Sequence, residues 1–118
     1  MDSIFGNNNF YNLSDPQATW LFDVSFYNEW DNAKNKINLK KHGIDFKEAQ
    51  TVFYDDRSIV CDDPDHSNDE SRFIILGKSI KSNICIVCHC YRQEDEIIRI
   101  ISARKATKKE VNTYAQGI

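Results

Sequence analysis

The chain lacks any run of about 18 apolar residues, so no segment is long enough to cross a bilayer as a helix. Its N-terminus has neither the basic region nor the apolar stretch of a secretory signal, and its first 23 residues contain no lysine or arginine. No internal repeat or linker divides the 118 residues. These absences predict one cytoplasmic domain, large enough to bury a core without metals or disulfides.

The cysteine spacing does not favour cross-links. Three of the four cysteines, Cys85, Cys88 and Cys90, fall in one predicted strand. Neighbours on one strand have poor disulfide geometry, and cytosolic thiols stay reduced. A zinc site from these thiols and His89 would need a knuckle with glycine or proline, which the segment lacks. We therefore expect the cysteines to pack in the core, and we expect no cofactor.

An acidic segment, residues 55–70, holds seven acids against one arginine. Carboxylates at this density can hold Mg²⁺ or Ca²⁺, but the EF-hand spacing is absent, since Ser67 and Phe73 stand at the sixth and twelfth positions from Asp62. The other interpretation is a solvated turn that also meets a basic partner. The second interpretation is favoured, and no metal ligands are predicted.

Positive charge is segregated from this acidic segment, although the net charge of the chain is −3. Residues 34–47 hold five lysines against Asp45, and residues 99–110 hold five cations against Glu110. The distribution of charge, more than its total, steers a polyanion. Charge alone therefore leaves two interpretations open, a polyanion partner or two solvated faces of opposite sign.

Local signals predict the order of the elements. Alternating apolar residues indicate a strand from Trp20 to Tyr27. Asp31 is placed to cap a helix over about 32–42 that ends at Gly43. Asp45 is placed to cap a second helix that ends at Asp55–Asp56. Its predicted buried face consists of Phe46, Ala49, Val52 and Phe53.

The second half predicts strands followed by a helix. A short strand over 58–61 precedes three strands at 72–78, 84–91 and 97–104. Their connections are short enough for hairpins, which makes them an antiparallel meander. Thr107 and Glu110 have capping-box spacing for a last helix that carries Tyr114. The predicted class is α+β, a meander sheet packed with two helices from the N-terminal half and a short C-terminal helix.

Two groups of side chains are candidates for chemistry. Lys40, Lys41 and His42 end the first helix, where cations also suit the helix dipole without any function. The second group lies on the meander strands: Arg72, His89, Arg92, Arg99 and Arg104. Strict alternation places Arg99 with Ile97, Ile101 and Ala103, and Arg104 on the opposite face. Tyr114 is either a core aromatic or a side chain that closes over the same strand ends.

Three segments together resemble the BrnT family: EWDNAKNKINLKKHGIDFKEAQTVF, DDPDHSNDESRFIILG and IRIISARKATKKEVNTY. The resemblance runs from about residue 27 to 117, in the expected order, and implies one domain over 24–118. It leaves residues 1–23 as an N-terminal extension, which we expect to pack on its own domain or to support a homo-oligomer.

The resemblance implies a RelE-like fold and a ribonuclease toxin of a type II toxin–antitoxin system. Such a toxin would stop translation by cleaving RNA, with ribosome-associated mRNA as a candidate substrate. It would be neutralised by a DNA-binding, BrnA-like antitoxin. The implied catalytic residues are His42, Arg99, Arg104 and Tyr114, with RNA contacts from a second set: Lys40, Lys41, Arg72, His89, Arg92 and Lys108. The alternative is a non-catalytic module that binds the antitoxin and supports operon repression.

The implied reaction needs no metal. A base removes the proton of an RNA 2′-hydroxyl, cations stabilise the charge that develops on the phosphorane, and an acid protonates the leaving oxygen. Arg99 and Arg104 are expected to supply the positive charge. His42 or His89 is expected to act as base or acid, because only histidine titrates near neutrality without a shifted pKa.

Overall fold

A computed structural model describes residues 10–12, 27–63, 71–92 and 97–117. The elements are β1 (Phe10–Asn12), β2 (Tyr27–Glu29), α1 (Asn32–His42), α2 (Phe46–Ala49) with a 3₁₀ helix (Gln50–Tyr54), β3 (Ile59–Asp62), β4 (Arg72–Lys78), β5 (Ile84–Arg92), β6 (Ile97–Lys105) and α3 (Lys108–Gln116). The predicted α+β class is confirmed. No helix in these ranges is long and apolar enough to cross a membrane. The predicted strand over 20–27 lies outside the described residues except for Tyr27.

One six-stranded sheet organises the described residues, in the order β1-β3-β4-β5-β6-β2. The predicted meander from β4 to β6 is antiparallel, and β3 extends it with a further antiparallel pairing to β4. β2 adds to the outer edge of β6 in parallel, and β1 adds to β3 in antiparallel fashion. The two short strands of the N-terminal quarter therefore border opposite edges of the sheet.

The first helical segment forms where its caps predict. The Asp31 carboxylate accepts hydrogen bonds from the backbone N–H groups of Ala33 and Lys34, and Gly43 ends α1 with φ 75°. Asp45 then accepts from the N–H of Lys47 to begin α2. The helix tightens into 3₁₀ geometry after Ala49 and keeps the predicted apolar face buried.

Beyond the end of β2, the side chain of Asn38 in α1 forms hydrogen bonds with the backbone edge of β6. Its side-chain amide donates to the carbonyl of Ala103 (2.9 Å), and its side-chain carbonyl accepts from the N–H of Ala103 (3.1 Å). It also donates to the carbonyl of Ile44 (2.9 Å). A side chain thus replaces a neighbouring strand for one residue of β6, so α1 runs along this edge beside β6.

The sheet has two apolar faces. On the first face, Ile75, Val87 and Ile100 pack against Phe46 and Val52 of α2 and the 3₁₀ helix. On the second face, a smaller cluster packs with Tyr114 from α3; its strand residues are Ile59, Cys61, Ile74, Leu76 and Ile86. Because α3 begins just after β6 ends, it covers only one end of the second face.

A β-bulge corrects the predicted faces of β6. Cys88 pairs with Ser102 and His89 pairs with Ile100, which leaves Ile101 without a partner. Ala103 consequently lies on the first face together with Ile98 and Ile100. The predicted separation of Arg99 from Arg104 is therefore wrong, because one extra residue reverses the alternation and puts both arginines on the second face.

The cysteines are buried and reduced, as predicted. Burial raises the pKa of Cys61 to about 12 and that of Cys85 to about 11. Both thiols stay protonated at neutral pH and act as small core residues.

Candidate functional site

Two arginines line up across the second face. Arg72 of β4 pairs with Cys90 of β5, and Cys90 pairs with Arg99 of β6. Arg72 alternates with Ile74 and Leu76, which belong to the second-face cluster, so its side chain leaves the sheet on that face. Strands lie about 4.8 Å apart, which puts the two arginine Cα atoms roughly 10 Å from each other.

A carboxylate joins this row from the edge strand. Glu29 of β2 pairs in register with Arg99, and the Arg99 guanidinium donates to Glu29 Oε1 at 3.2 Å. Arg92 Nε lies 3.8 Å from the same oxygen. The side chains of Glu29, Arg92 and Arg99 are 40%, 45% and 30% exposed, so all three are accessible to solvent. We call Glu29, Arg72, Arg92 and Arg99 the open end of the second face.

The sheet beneath the open end carries a buried acid–thiol pair. Asp63 follows β3, is 5% exposed, and accepts a hydrogen bond from the Cys88 thiol at 3.3 Å. Burial, followed by the charge and the hydrogen bond of Asp63, raises the pKa of Cys88 to about 12. Cys88 therefore remains a protonated donor and is not a nucleophile at neutral pH.

The opposite end of the second face, the α3 end, is built on a buried ion pair. Arg104 donates to both oxygens of Glu110, at 2.8 and 3.0 Å, and Glu110 is 1% exposed. Glu110 also closes the predicted capping box with Thr107. Burial by itself raises the pKa of Glu110, but the hydrogen bonds from Arg104 and Thr107 outweigh burial and leave that pKa lowered.

Tyr114 is also engaged at the α3 end. It is 8% exposed, and its hydroxyl donates to Asp55 Oδ2 at 2.7 Å. The same oxygen accepts from the backbone N–H of Lys78. Burial, followed by the hydrogen bond to Asp55, raises the pKa of Tyr114 to about 12. Between the two interpretations of Tyr114, the structure favours the core aromatic.

Arg99 and Arg104 share a face without sharing a site. Five positions along β6 separate them, which corresponds to roughly 15 Å. Tyr114 and Glu110 lie at the Arg104 end, while Glu29 and Arg92 lie at the Arg99 end. The expectation that Tyr114 closes over both arginines is therefore not met by this geometry.

His89 lies in the core rather than on the RNA-accessible surface. It is 0% exposed, with ring centroids of Phe53 and Phe73 at 4.8 and 6.1 Å. Its Nδ1 lies 3.2 Å from the Val87 carbonyl, which only accepts, so this nitrogen carries the proton. Burial lowers the pKa of His89 to about 4. The predicted RNA contact is corrected, because a side chain enclosed by the core cannot touch a ligand.

The predicted basic residues outside the sheet lie elsewhere. α1 begins just after Glu29 and extends beside β6 for 11 residues, about 16 Å. Lys40, Lys41 and His42 form its last turn, at the end remote from Glu29. Lys108 is the first residue of α3, so it lies at the α3 end of the second face and not at the open end. Among the described residues, no hydrogen bond or ion pair joins His42 to the predicted arginines.

Sequence reasoning missed Glu29. Its strand is three residues long and pairs with a strand about 70 positions away, and no local pattern announces such a pairing. The available signal was an acid placed two residues before the Asp31 cap and two residues after the predicted strand. Extending that strand by two residues would have placed Glu29 on the sheet.

Within the ranges that the structure describes, no group of three or more histidine, cysteine or acidic side chains is arranged to hold a metal ion. Residues 64–70 of the acidic segment lie outside those ranges. The open end itself offers exposed guanidinium groups, which bind phosphate through paired hydrogen bonds, and a carboxylate, which accepts protons.

Comparison with known proteins gives a family. Residues 30–110 match the sequence profile described as "Ribonuclease toxin, BrnT, of type II toxin-antitoxin system". A search of curated proteins gave no match. The fold resembles the crystal structure of the Brucella abortus ribonuclease toxin BrnT, with a TM-score of 0.52 and 22% identity over 70% of this chain and 99% of that one. Because the profile covers more than half of the sequence, the chain belongs to the BrnT family of ribonuclease toxins of type II toxin–antitoxin systems.

Proposed function

We propose that this protein is a metal-independent endoribonuclease that inhibits translation, and that it cleaves RNA at the open end of the second face. The observation that carries the proposal is the half-exposed cluster of Arg99, Arg92 and Glu29 beside Arg72. The partly exposed guanidinium groups of Arg92 and Arg99 suit an RNA phosphate, and a family of ribonucleases supplies the chemical class.

Arg99 is assigned the main catalytic role. An arginine placed before the reaction stabilises the charge that develops on the phosphorane without reorganising in the transition state. Arg72 and Arg92 flank it and hold adjacent phosphates. Substrate binding requires the guanidinium of Arg99 to share or exchange its contact with Glu29, which is an exposed and therefore weak ion pair.

The other residues predicted from sequence take indirect roles in this proposal. Arg104 and Tyr114 hold α3 on the sheet through Glu110 and Asp55. Lys40, Lys41 and Lys108 raise the local concentration of RNA through their charge, and this contribution weakens as salt rises. The role of His42 as acid or base stays a prediction from the resemblance. The position of His42 at the end of α1, remote from the open end, does not favour this role.

The proposed partner is a DNA-binding, BrnA-like antitoxin that neutralises the toxin and represses the operon with it. A type II system implies such a partner. If a small basic DNA-binding protein is encoded next to this gene, its co-expression should restore growth to cells that express the toxin. If growth stays arrested although the two proteins co-purify, that protein is not the neutralising antitoxin.

Induced expression in a bacterial host tests the enzyme directly. We expect growth arrest with loss of mRNA, and we expect the purified protein to cleave RNA in the presence of EDTA. Arg99→Ala should abolish both effects, while Arg57→Ala, which removes an exposed arginine near Tyr114, should retain them. Unaffected growth with intact RNA would overturn the ribonuclease and favour the non-catalytic antitoxin-binding module.

A further inference from the structure

The open end contains an acid to which neither the sequence motifs nor the family match give a role, although it opens the EWDN segment of the BrnT resemblance. Glu29 stands one residue before the matched region begins, yet it contacts Arg99, the residue at the centre of the proposed site. We propose that Glu29 is the general base that removes the proton from the RNA 2′-hydroxyl. This inference rests on the proposed ribonuclease function and names the group that function still lacks.

The geometry leaves Glu29 able to act on a ligand. Both arginine contacts go to Oε1. Among the residues that the structure describes, Glu29 Oε2 makes no hydrogen bond, and the side chain is 40% exposed. A phosphate held by Arg99 therefore lies beside a carboxylate oxygen that is open to solvent. In RNA the attacking 2′-hydroxyl is on the ribose next to the reacting phosphorus, so a base beside the phosphate-binding arginine is correctly placed.

The other acids of the second face are already engaged. Glu110 is 1% exposed and accepts from Arg104 and Thr107. Asp63 is 5% exposed and accepts from Cys88. Asp55 accepts from Tyr114 and from the backbone of Lys78. Within the described part of the chain, Glu29 is the exposed carboxylate of this face.

The histidines predicted from sequence do not replace it. His89 is enclosed in the core and keeps its proton on the nitrogen that faces Val87. His42 lies in the last turn of α1, at the far end of that helix from Glu29. A base must come within hydrogen-bond reach of the proton it removes, and neither histidine does so at the open end.

The reaction balances without a further reagent. Glu29 accepts the proton of the 2′-hydroxyl, and the 2′-oxygen forms a bond to the phosphorus. The bond from phosphorus to the 5′-oxygen of the next nucleotide breaks, and water supplies the proton to that oxygen. The products are a 2′,3′-cyclic phosphate and a 5′-hydroxyl end. Arg99 stabilises the added charge on the phosphorane. The protonated Glu29 then loses its proton to water, which restores the carboxylate.

A second role for Glu29 makes the opposite prediction. If its carboxylate only neutralises Arg99 and Arg92, removing the charge should free both guanidinium groups for RNA and raise both binding and cleavage. If it is the base, removing the charge should leave binding unchanged or tighter while cleavage falls. The two roles are therefore separated by measuring binding and cleavage on the same variant.

The test uses Glu29→Gln, with Arg99→Ala and Arg57→Ala as matched variants, after circular dichroism shows that each is folded. Binding is measured with RNA that carries a single 2′-deoxyribose at the mapped cleavage position, which cannot react. Cleavage is measured under single-turnover conditions with the unmodified RNA. We expect Glu29→Gln to bind as tightly as the wild type and to cleave about 100-fold or more slowly. We expect Arg99→Ala to lose affinity as well.

The conservative variant Glu29→Asp adds a readout that loss of the ion pair alone would not give. It keeps a carboxylate, so it should recover part of the cleavage that Glu29→Gln loses. Unchanged or faster cleavage by Glu29→Gln, with loss of cleavage by Arg99→Ala, would overturn the general base while leaving the ribonuclease standing. No cleavage by the wild type would overturn both.

Discussion

Arg99 and Arg104 lie on the same strand and the same face, and each is paired with a glutamate, yet the two pairs differ in what surrounds them. Glu29 is 40% exposed and meets Arg99 through one oxygen at 3.2 Å. Glu110 is 1% exposed and receives two hydrogen bonds from Arg104. The two arginine side chains are almost equally exposed, at 30% and 32%. The difference therefore lies in the partner.

Burial of the partner decides what an arginine can do. A buried carboxylate that loses its cation is left charged away from water, so Arg104 cannot leave Glu110 for a phosphate at low cost. An exposed carboxylate is rehydrated at once, so Arg99 can exchange Glu29 for a ligand. The pair at the α3 end consequently stabilises the fold, while the pair at the open end is suited to binding and chemistry.

The largest effect on stability is expected from Arg104→Ala. It leaves the buried carboxylate of Glu110 without its cation, so the free energy of unfolding should fall by about 3–5 kcal/mol. Urea denaturation measures the change. Arg104→Ala combined with Glu110→Ala should recover part of the loss, and a loss below about 1 kcal/mol in the single variant would mean that the pair is not effectively buried.

Acidification is expected to destabilise the protein in two steps. His89 has a pKa of about 4 when folded and 6.5 when unfolded, so the unfolded chain binds more protons between these values. Stability should be full above pH 6.5 and should fall, by on the order of 3 kcal/mol, as the pH drops toward 4.

Glu110 accounts for the second step. Its pKa is lowered below 4.5 by folding, so its contribution is present above pH 4.5 and is lost as the pH falls through the lower, folded value. Unfolding free energies from pH 8 to pH 3 should show both steps. Glu110→Gln should remove only the lower one, and persistence of that step in this variant would assign it to another group.

A smaller loss is expected from Tyr114→Phe. The substitution removes one hydroxyl, keeps the ring in the second-face cluster, and leaves Asp55 with its backbone donors. A lost hydrogen bond to a carboxylate predicts a decrease of about 1.5 kcal/mol in the free energy of unfolding. Thermal unfolding measures this decrease. We expect the Tyr114→Phe protein to cleave RNA as well as the wild type does. Loss of cleavage in a folded Tyr114→Phe protein would return this tyrosine to the active site.

The smallest stability effect is expected from Arg99→Ala. Its ion pair is exposed, so the free energy of unfolding should change by less than about 1 kcal/mol. Urea denaturation beside Arg104→Ala gives a direct contrast between the two arginines. Equal destabilisation by both substitutions would remove the distinction between the open end and the α3 end.

Most of the fold follows from local patterns. The cap at Asp31, the capping box of Thr107 and Glu110, and the short connections of the meander each depend on residues within a few positions of one another, and each is present in the structure. The resemblance to BrnT depends on the same segments. Fold class and family were accessible from sequence for this reason.

The site was less predictable because its geometry is nonlocal. The bulge at Ile101 reverses the faces of β6 without any glycine or other local sign, and it moves Arg99 and Arg104 to one face. The pairing of β2 with β6 brings Glu29 to Arg99 across about 70 positions. The burial of His89 depends on Phe53 and Phe73 from two other elements. Residue type alone could not separate these cases.

RNA cleavage by folded Arg99→Ala and Tyr114→Phe proteins, compared at one temperature well below both unfolding transitions, tests the distinction between the two ends most directly. We expect Arg99→Ala to lose activity by about 100-fold or more, because it removes the cation that faces the phosphorane, and Tyr114→Phe to cleave within about twofold of the wild type. Full activity in Arg99→Ala together with loss of activity in Tyr114→Phe would place the active site at the α3 end and contradict the proposal.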